Sequence, residues 1–216
     1  MKKFQGKYRI ESNRLRGWDY SSPGSYFITI CITNMEYLLG TVKSGTMILS
    51  ECGKIVESEC KKIPEYHPRA MLDVWVVMPN HIHCIITLGD YDFHNGIAVG
   101  HRDNGWIDKI HEFYLRDRNE FYAPPIYPMS ELSGYTIDEI KQYRKQRRKM
   151  VIPKLVGKFQ MQTSKQINIV RNMPGRKNWQ ADYYDHVIRD RESYYRIKQY
   201  IINNPKNWNK DRFRGG

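Results

Sequence analysis

Two histidines, His81 and His83, flank a single isoleucine inside an apolar run. In a β-strand, side chains at i and i+2 share a face, so both imidazoles point one way and Ile82 the other. Two neutral imidazoles on one face, just past a turn, are a ready pair of ligands for a divalent ion; two histidines satisfied by hydrogen bonds are the plainer alternative. A third element comes from Tyr200 and Asn204, spaced i, i+4 and therefore one turn apart on a helical face. A carboxamide oxygen can ligate a hard ion, and a phenol one turn away can attack a phosphate polarised by that ion. Phenol is a poor nucleophile at its ordinary pKa near 10, so such an attack depends on charge neutralisation and in-line placement. Spacing alone does not separate Tyr200 from a packing aromatic, and Tyr194 and Tyr195 are close rivals. Two histidines and an amide oxygen, with positions left for phosphate, suit Mg²⁺ or Mn²⁺ better than zinc.

These residues need a strand and a helix to hold them. Residues 71–88 are too apolar for a loop, and Pro79-Asn80 interrupts them, giving two strands over 71–77 and 81–88 joined by a tight turn at 78–81. Earlier, 26–33 (YFITICIT) reads as a buried strand. A turn at 43–45 leads to a strand over 46–50, and Ser50 can cap a helix over 52–63. Later come a helix over 137–149, a helix over 153–171 with Pro153 in its first turn, a strand over 179–189, and a helix over 191–203 that Asp190 can cap and Pro205 ends. Residues 89–137 carry scattered Gly, Pro, Asn and Asp with no period, yet hold aromatic residues that include Phe93, Trp106, Phe113, Tyr114, Phe121 and Tyr122; they read as an insertion in a single domain. The order of elements predicts an α+β fold, one antiparallel sheet covered mainly by helices.

Charge points to a partner. The 216 residues hold 35 Lys and Arg against 23 acids, a net +12. Such an excess fits a polyanion, nucleic acid before a membrane surface. Six of the nine residues 141–149 are basic, among them Lys141, Arg144, Lys145, Arg147 and Arg148. With Lys154, Lys158, Lys165, Arg176 and Lys177 they form a candidate track for phosphates, against the plainer reading of a solvated helix face. Trp18, Trp179 or some of the 16 tyrosines can stack unpaired bases, although a single Trp is more often a core residue. The four cysteines form no CxxC pair and fall in apolar segments, as reduced thiols do. The first residues lack a signal-peptide core and no run approaches a membrane span, so a cytoplasmic location is expected.

Two blocks resemble a known family. Val77-Met-Pro-Asn-His-Ile-His-Cys84 is similar to the metal motif of the HUH single-tyrosine transposases. Trp179-Gln-Ala-Asp-Tyr-Tyr-Asp-His-Val-Ile-Arg189, followed by Tyr200-Ile-Ile-Asn-Asn-Pro205 and Trp208, resembles the C-terminal block of their REP-associated branch. The resemblance spans about two-thirds of the chain. It implies a ferredoxin-like sheet, His81 and His83 as metal ligands, and Tyr200, five residues before the proline, as nucleophile. Asn204 falls where the family has a polar residue that completes the metal site. The implied reaction is Mg²⁺- or Mn²⁺-dependent attack on single-stranded or hairpin DNA, giving a 5′-phosphotyrosyl link and a free 3′-OH. Insertion-sequence relatives work as dimers that exchange the tyrosine helix, whereas REP-associated relatives can be monomeric. The segment 89–137 is longer than the family pattern. Three rival readings remain: a non-catalytic nucleic-acid-binding module, a hydrolase of small phosphates, and a replication or relaxase nickase. The nickases often carry the motifs in another order.

Overall fold

The computed structural model describes residues 18–89 and 148–214, with short pieces at 3–4, 7–8, 142 and 145–146. The expected insertion at 89–137, except for Gly89, and most of the expected helix over 137–149 lie outside the described residues, as do Lys141, Arg144 and Arg147.

The strands are β1 (Lys3–Phe4), β2 (Lys7–Tyr8), β3 (Gly24–Cys31), β4 (Gly40–Lys43), β5 (Thr46–Leu49), β6 (Ala70–Val77), β7 (His81–Leu88) and β8 (Tyr184–Ile188). The α-helices are α1 (Glu51–Cys60), α2 (Val151–Val170) and α3 (Arg191–Asn203). One four-stranded sheet, in the order β6-β7-β3-β8 and antiparallel throughout, forms the frame. Its chain order is β3, α1, β6, β7, α2, β8, which with that strand order is the ferredoxin-like arrangement. β1 pairs with β2, and β4 with β5, as separate hairpins outside this sheet.

All eight residues of β7 are buried because both sheet faces are covered. Alternation sorts them. Ile82, Cys84, Ile86 and Leu88 enter the large core with Val56 of α1 and Leu155, Phe159 and Ile167 of α2. Ile85 faces the other way, into a smaller core with Ile188, Tyr194 and Ile201 that α3 closes. His81 and His83 share the parity of Ile85 and so lie on the α3 side. The lysines of α2 belong to the opposite layer.

Local chemistry sets the boundaries. Ser50 caps α1 by accepting from Gly53 N at 3.1 Å, and Asp190 caps α3 by accepting from Ser193 N at 2.7 Å. α1 stops at Cys60 and gives way to a 3₁₀ turn over Ile63–Tyr66 that contains Pro64, three residues short of the expected end. β3 ends at Cys31 rather than at residue 33. The chain turns at Asn34 and Met35, both at φ 56°, where a strand cannot continue. Trp179 forms only an isolated bridge to Ile32, so the last strand is shorter than the expected 179–189. α1 approaches the backbone so closely that a Cβ on Gly53 would lie 2.0 Å from the Leu39 carbonyl oxygen.

Candidate active site

The turn between β6 and β7 aims the histidines. Met78 N donates to His81 O at 2.8 Å, closing it. The carbonyls of Pro79 and Asn80 accept from Leu39 N (2.9 Å) and Ile32 N (2.7 Å), which ties the turn to the chain leaving β3. His81 then stands opposite Cys31 of β3, and His83 between Thr29 of β3 and Val76 of β6.

The two imidazoles converge. Their Nε2 atoms are 3.0 Å apart, and both rings are almost wholly buried. Each Nδ1 is bound elsewhere: His81 to Asn80 Oδ1 at 2.8 Å, His83 to Thr29 Oγ1 at 2.7 Å. The Asn80 amide nitrogen donates to the carbonyls of Met35 (3.3 Å) and Phe213 (2.6 Å), so its oxygen faces His81. Neutral His81 therefore carries its proton on Nδ1 and turns the Nε2 lone pair inward, the usual outer-shell arrangement of a metal-ligating histidine. Burial lowers the pKa of His81 to about 4, against an opposing pull from Asp211. Burial, then the neighbouring His81, holds His83 well below the ordinary range. Both are kept neutral, as ligands must be.

Sequence reasoning did not single out Asp211. It comes from the segment after α3 and joins His81 and His83 in a set whose ligand atoms all lie within 4.8 Å of one another. Asn204 holds it, donating Nδ2 to Asp211 Oδ2 at 2.8 Å, while Asn204 Oδ1 is buried without a hydrogen-bond partner. Two imidazole nitrogens, a carboxylate and an orphaned amide oxygen fit a divalent cation of the Mg²⁺ or Mn²⁺ type.

Tyr200 completes the cluster within one chain. Its hydroxyl is 3.2 Å from His83 Nε2, and its ring meets Phe27 edge-on at 6.1 Å. Burial raises its pKa and the Asp211 carboxylate raises it further. The residue is nevertheless 42% exposed, so a substrate can reach it. The rivals separate cleanly: Tyr194 is fully buried with its hydroxyl donating to Asp73, and Tyr195 packs on Tyr194 at 5.2 Å under Arg191.

Around the cluster, Phe213 packs 4.8 Å from His81 and 5.7 Å from His83, and Trp208 6.1 Å from His81. Tyr37 donates to the Arg214 carbonyl. The only sequence signal for this tail was Trp208 in the C-terminal block; residues 207–214 have no periodicity to reveal the rest.

The expected phosphate contacts fall in two places. Lys154, Lys158 and Lys165 are exposed on α2, with Lys158 Nζ 4.3 Å above the Tyr66 ring, and Lys145 and Arg148 are exposed just before it. Arg176 and Lys177 are exposed in the loop that bridges to Ile32, at the end of the sheet where His81 lies, and Arg176 pairs with Glu36 at 2.8 Å. Trp179 is a core residue, its indole donating to Thr163 at 2.8 Å. His186 is exposed on β8 opposite Phe27. All four cysteines are free and buried. No helix among the described residues is long and apolar enough to cross a membrane.

No family model matches the chain. An uncharacterized protein of Haemophilus influenzae is 28% identical over 206 residues, 95% of this chain and 93% of its own. Among solved structures, a REP-associated tyrosine transposase bound to a REP hairpin matches with a TM-score of 0.40 and 18% identity, covering 94% of this chain and 73% of that one. A candidate transposase of Deinococcus radiodurans matches at 0.39 and 13%, covering 94% and 97%.

Proposed function

We propose that this chain, acting as a single cytoplasmic domain, cuts and rejoins single-stranded or hairpin DNA through a covalent link to Tyr200. The observation that carries the reading is that the hydroxyl of a partly exposed tyrosine lies 3.2 Å from His83 Nε2 of a buried, neutral histidine pair. His81, His83 and Asp211 would hold Mg²⁺ or Mn²⁺, and the orphaned oxygen of Asn204, whose amide nitrogen donates to Asp211, would be available to join them. Such an ion supplies charge neutralisation for a phosphate and its leaving oxygen. Tyr200 Oη would form the new P–O bond as the bond to the 3′ oxygen breaks, leaving a 5′-phosphotyrosyl link and a 3′-OH. The phenol gives up its proton to solvent at the exposed side of the site, and the departing 3′ oxygen takes one up, so the step is proton-neutral. The resemblance of residues 77–84, 179–189 and 200–205 with Trp208 to the HUH transposases supports the same chemistry. Exposed Lys145, Arg148, Lys154, Lys158, Lys165, Arg176 and Lys177 supply the positive surface for the strand.

Incubation with hairpin-bearing single-stranded DNA and Mn²⁺, followed by denaturing electrophoresis and peptide mass spectrometry, tests this. The expected product is a DNA–peptide adduct at Tyr200 that Tyr200→Phe abolishes. Undiminished cleavage by Tyr200→Phe would remove the tyrosine from the chemistry, and wild-type cleavage by His81→Ala, His83→Ala would remove the metal site.

A further inference from the structure

A cavity of about 390 Å³ opens beside the histidine pair, lined by Cys31, Met35, Gln180, Tyr184, Arg212 and Phe213. It shares its wall with the site. Cys31 is the cross-strand partner of His81, and Phe213 packs against the His81 ring at 4.8 Å. We propose that this cavity receives an unpaired nucleobase of the strand whose phosphate lies at Tyr200, and so sets which base flanks the cut. The inference rests on the reading of Tyr200 and the histidines as a DNA-cutting site, because a phosphate held there leaves its own base within one nucleotide's reach of the cavity.

The lining has the chemistry a base requires. Tyr184 is 38% exposed and stands 5.9 Å from Phe213, and Arg212 lies over both rings, 4.5 Å from Phe213 and 5.6 Å from Tyr184. Aromatic faces and a guanidinium plane are the surfaces on which unpaired bases stack. Gln180 offers a carboxamide for a base edge. Its amide nitrogen makes only long contacts of 3.4 Å, to the Ile32 carbonyl and the Met35 sulfur, so little is lost when it turns to a ligand. Cys31 and Met35 supply apolar, polarisable packing at the base plane. The cavity volume falls within the range of small-ligand sites. The exposed guanidinium of Arg212 adds positive charge for the phosphate that accompanies the base.

Photo-crosslinking tests the subsite separately from catalysis. The full-length Tyr200→Phe chain, which cannot form the adduct, is mixed with single-stranded 16-mers carrying 5-iododeoxyuridine at each position in turn, irradiated, and mapped by mass spectrometry. Cross-links to Tyr184 or Phe213 are expected. Tyr184→Ala with Gln180→Ala should weaken binding of dT₁₆ by about ten-fold while leaving a 16-mer of abasic residues unchanged, and Tyr184→Phe should restore dT₁₆ binding. Cross-links confined to other residues, no cross-links at all, or equal loss for dT₁₆ and the abasic strand would overturn the subsite. If the wild-type chain forms no adduct yet the cross-links map to Tyr184, the cutting site fails and the base subsite stands.

Discussion

Asn80 engages its carboxamide in three directions: to His81, to the chain after β3, and to the tail at Phe213. Losing it removes the group that fixes the His81 tautomer. Asn80→Ala should therefore lower Mn²⁺ affinity by roughly 10–100-fold, read by titration calorimetry, with the histidines still in place. The histidines also make stability depend on pH. Their folded pKa values lie below the ordinary 6.5, so between that value and about 4 the unfolded chain binds more protons than the folded one. Without metal, this contribution is complete above pH 6.5 and is lost progressively as the pH drops toward 4. Melting temperatures measured from pH 7.5 to 4.5 should fall more steeply for the native chain than for His81→Gln, His83→Gln. At this scale the sequence showed the histidine pair, because period-two alternation is visible in it. It could not show Asp211 or the second role of Asn80, since contacts such as that between Asn80 and Phe213, 133 residues apart, leave no periodic trace.

α3 lies on the sheet with only Tyr194 and Ile201 buried, so polar contacts carry much of its docking. Asp73 of β6, its side chain 2% exposed, accepts from Tyr194 and from Lys198 at 3.3 Å. This clamp lies within two turns of Tyr200 and fixes where the phenol points. Tyr194→Phe leaves a buried carboxylate short of a partner, which costs about 1–3 kcal/mol. Faster amide exchange along α3 and slower adduct formation are expected, with Mn²⁺ affinity less affected than by Asn80→Ala. On the other layer, Gly53→Ala would force a methyl against the Leu39 carbonyl and should lower the melting temperature by several degrees. The helices were legible because their caps, Ser50 and Asp190, are short-range signals. The turn at 43–45 and the strand after it were legible too, but β4 was not, because Gly40–Lys43 is too short to show alternation.

For the molecule as a whole, sheet parity divides the positive charge. The α2 lysines lie on the layer opposite the histidines, while Arg176 and Lys177 sit at the end of the sheet that both layers share. Binding of single-stranded DNA should weaken linearly on a log–log salt plot. Because the strand is read as reaching α2 as well, Lys154→Ala, Lys158→Ala, Lys165→Ala should reduce the slope by about 2; anisotropy titrations from 50 to 300 mM salt measure it, and an unchanged slope would take α2 out of the track. Composition showed the excess of charge. Its partition depends on which face of β7 each helix covers, and that follows from packing rather than from any local run.

The reach of Tyr200 to His83 within one chain also makes a statement about genetics. A chain that carries every part of the reaction gains nothing from a partner that lacks a different part. Mixing His81→Ala, His83→Ala protein with Tyr200→Phe protein should yield no adduct, and adduct formation by the native chain should rise in strict proportion to its concentration, with no second-order component. Recovery of adduct in the mixture would mean that α3 trades places between two copies, and the tyrosine and histidine defects would then complement.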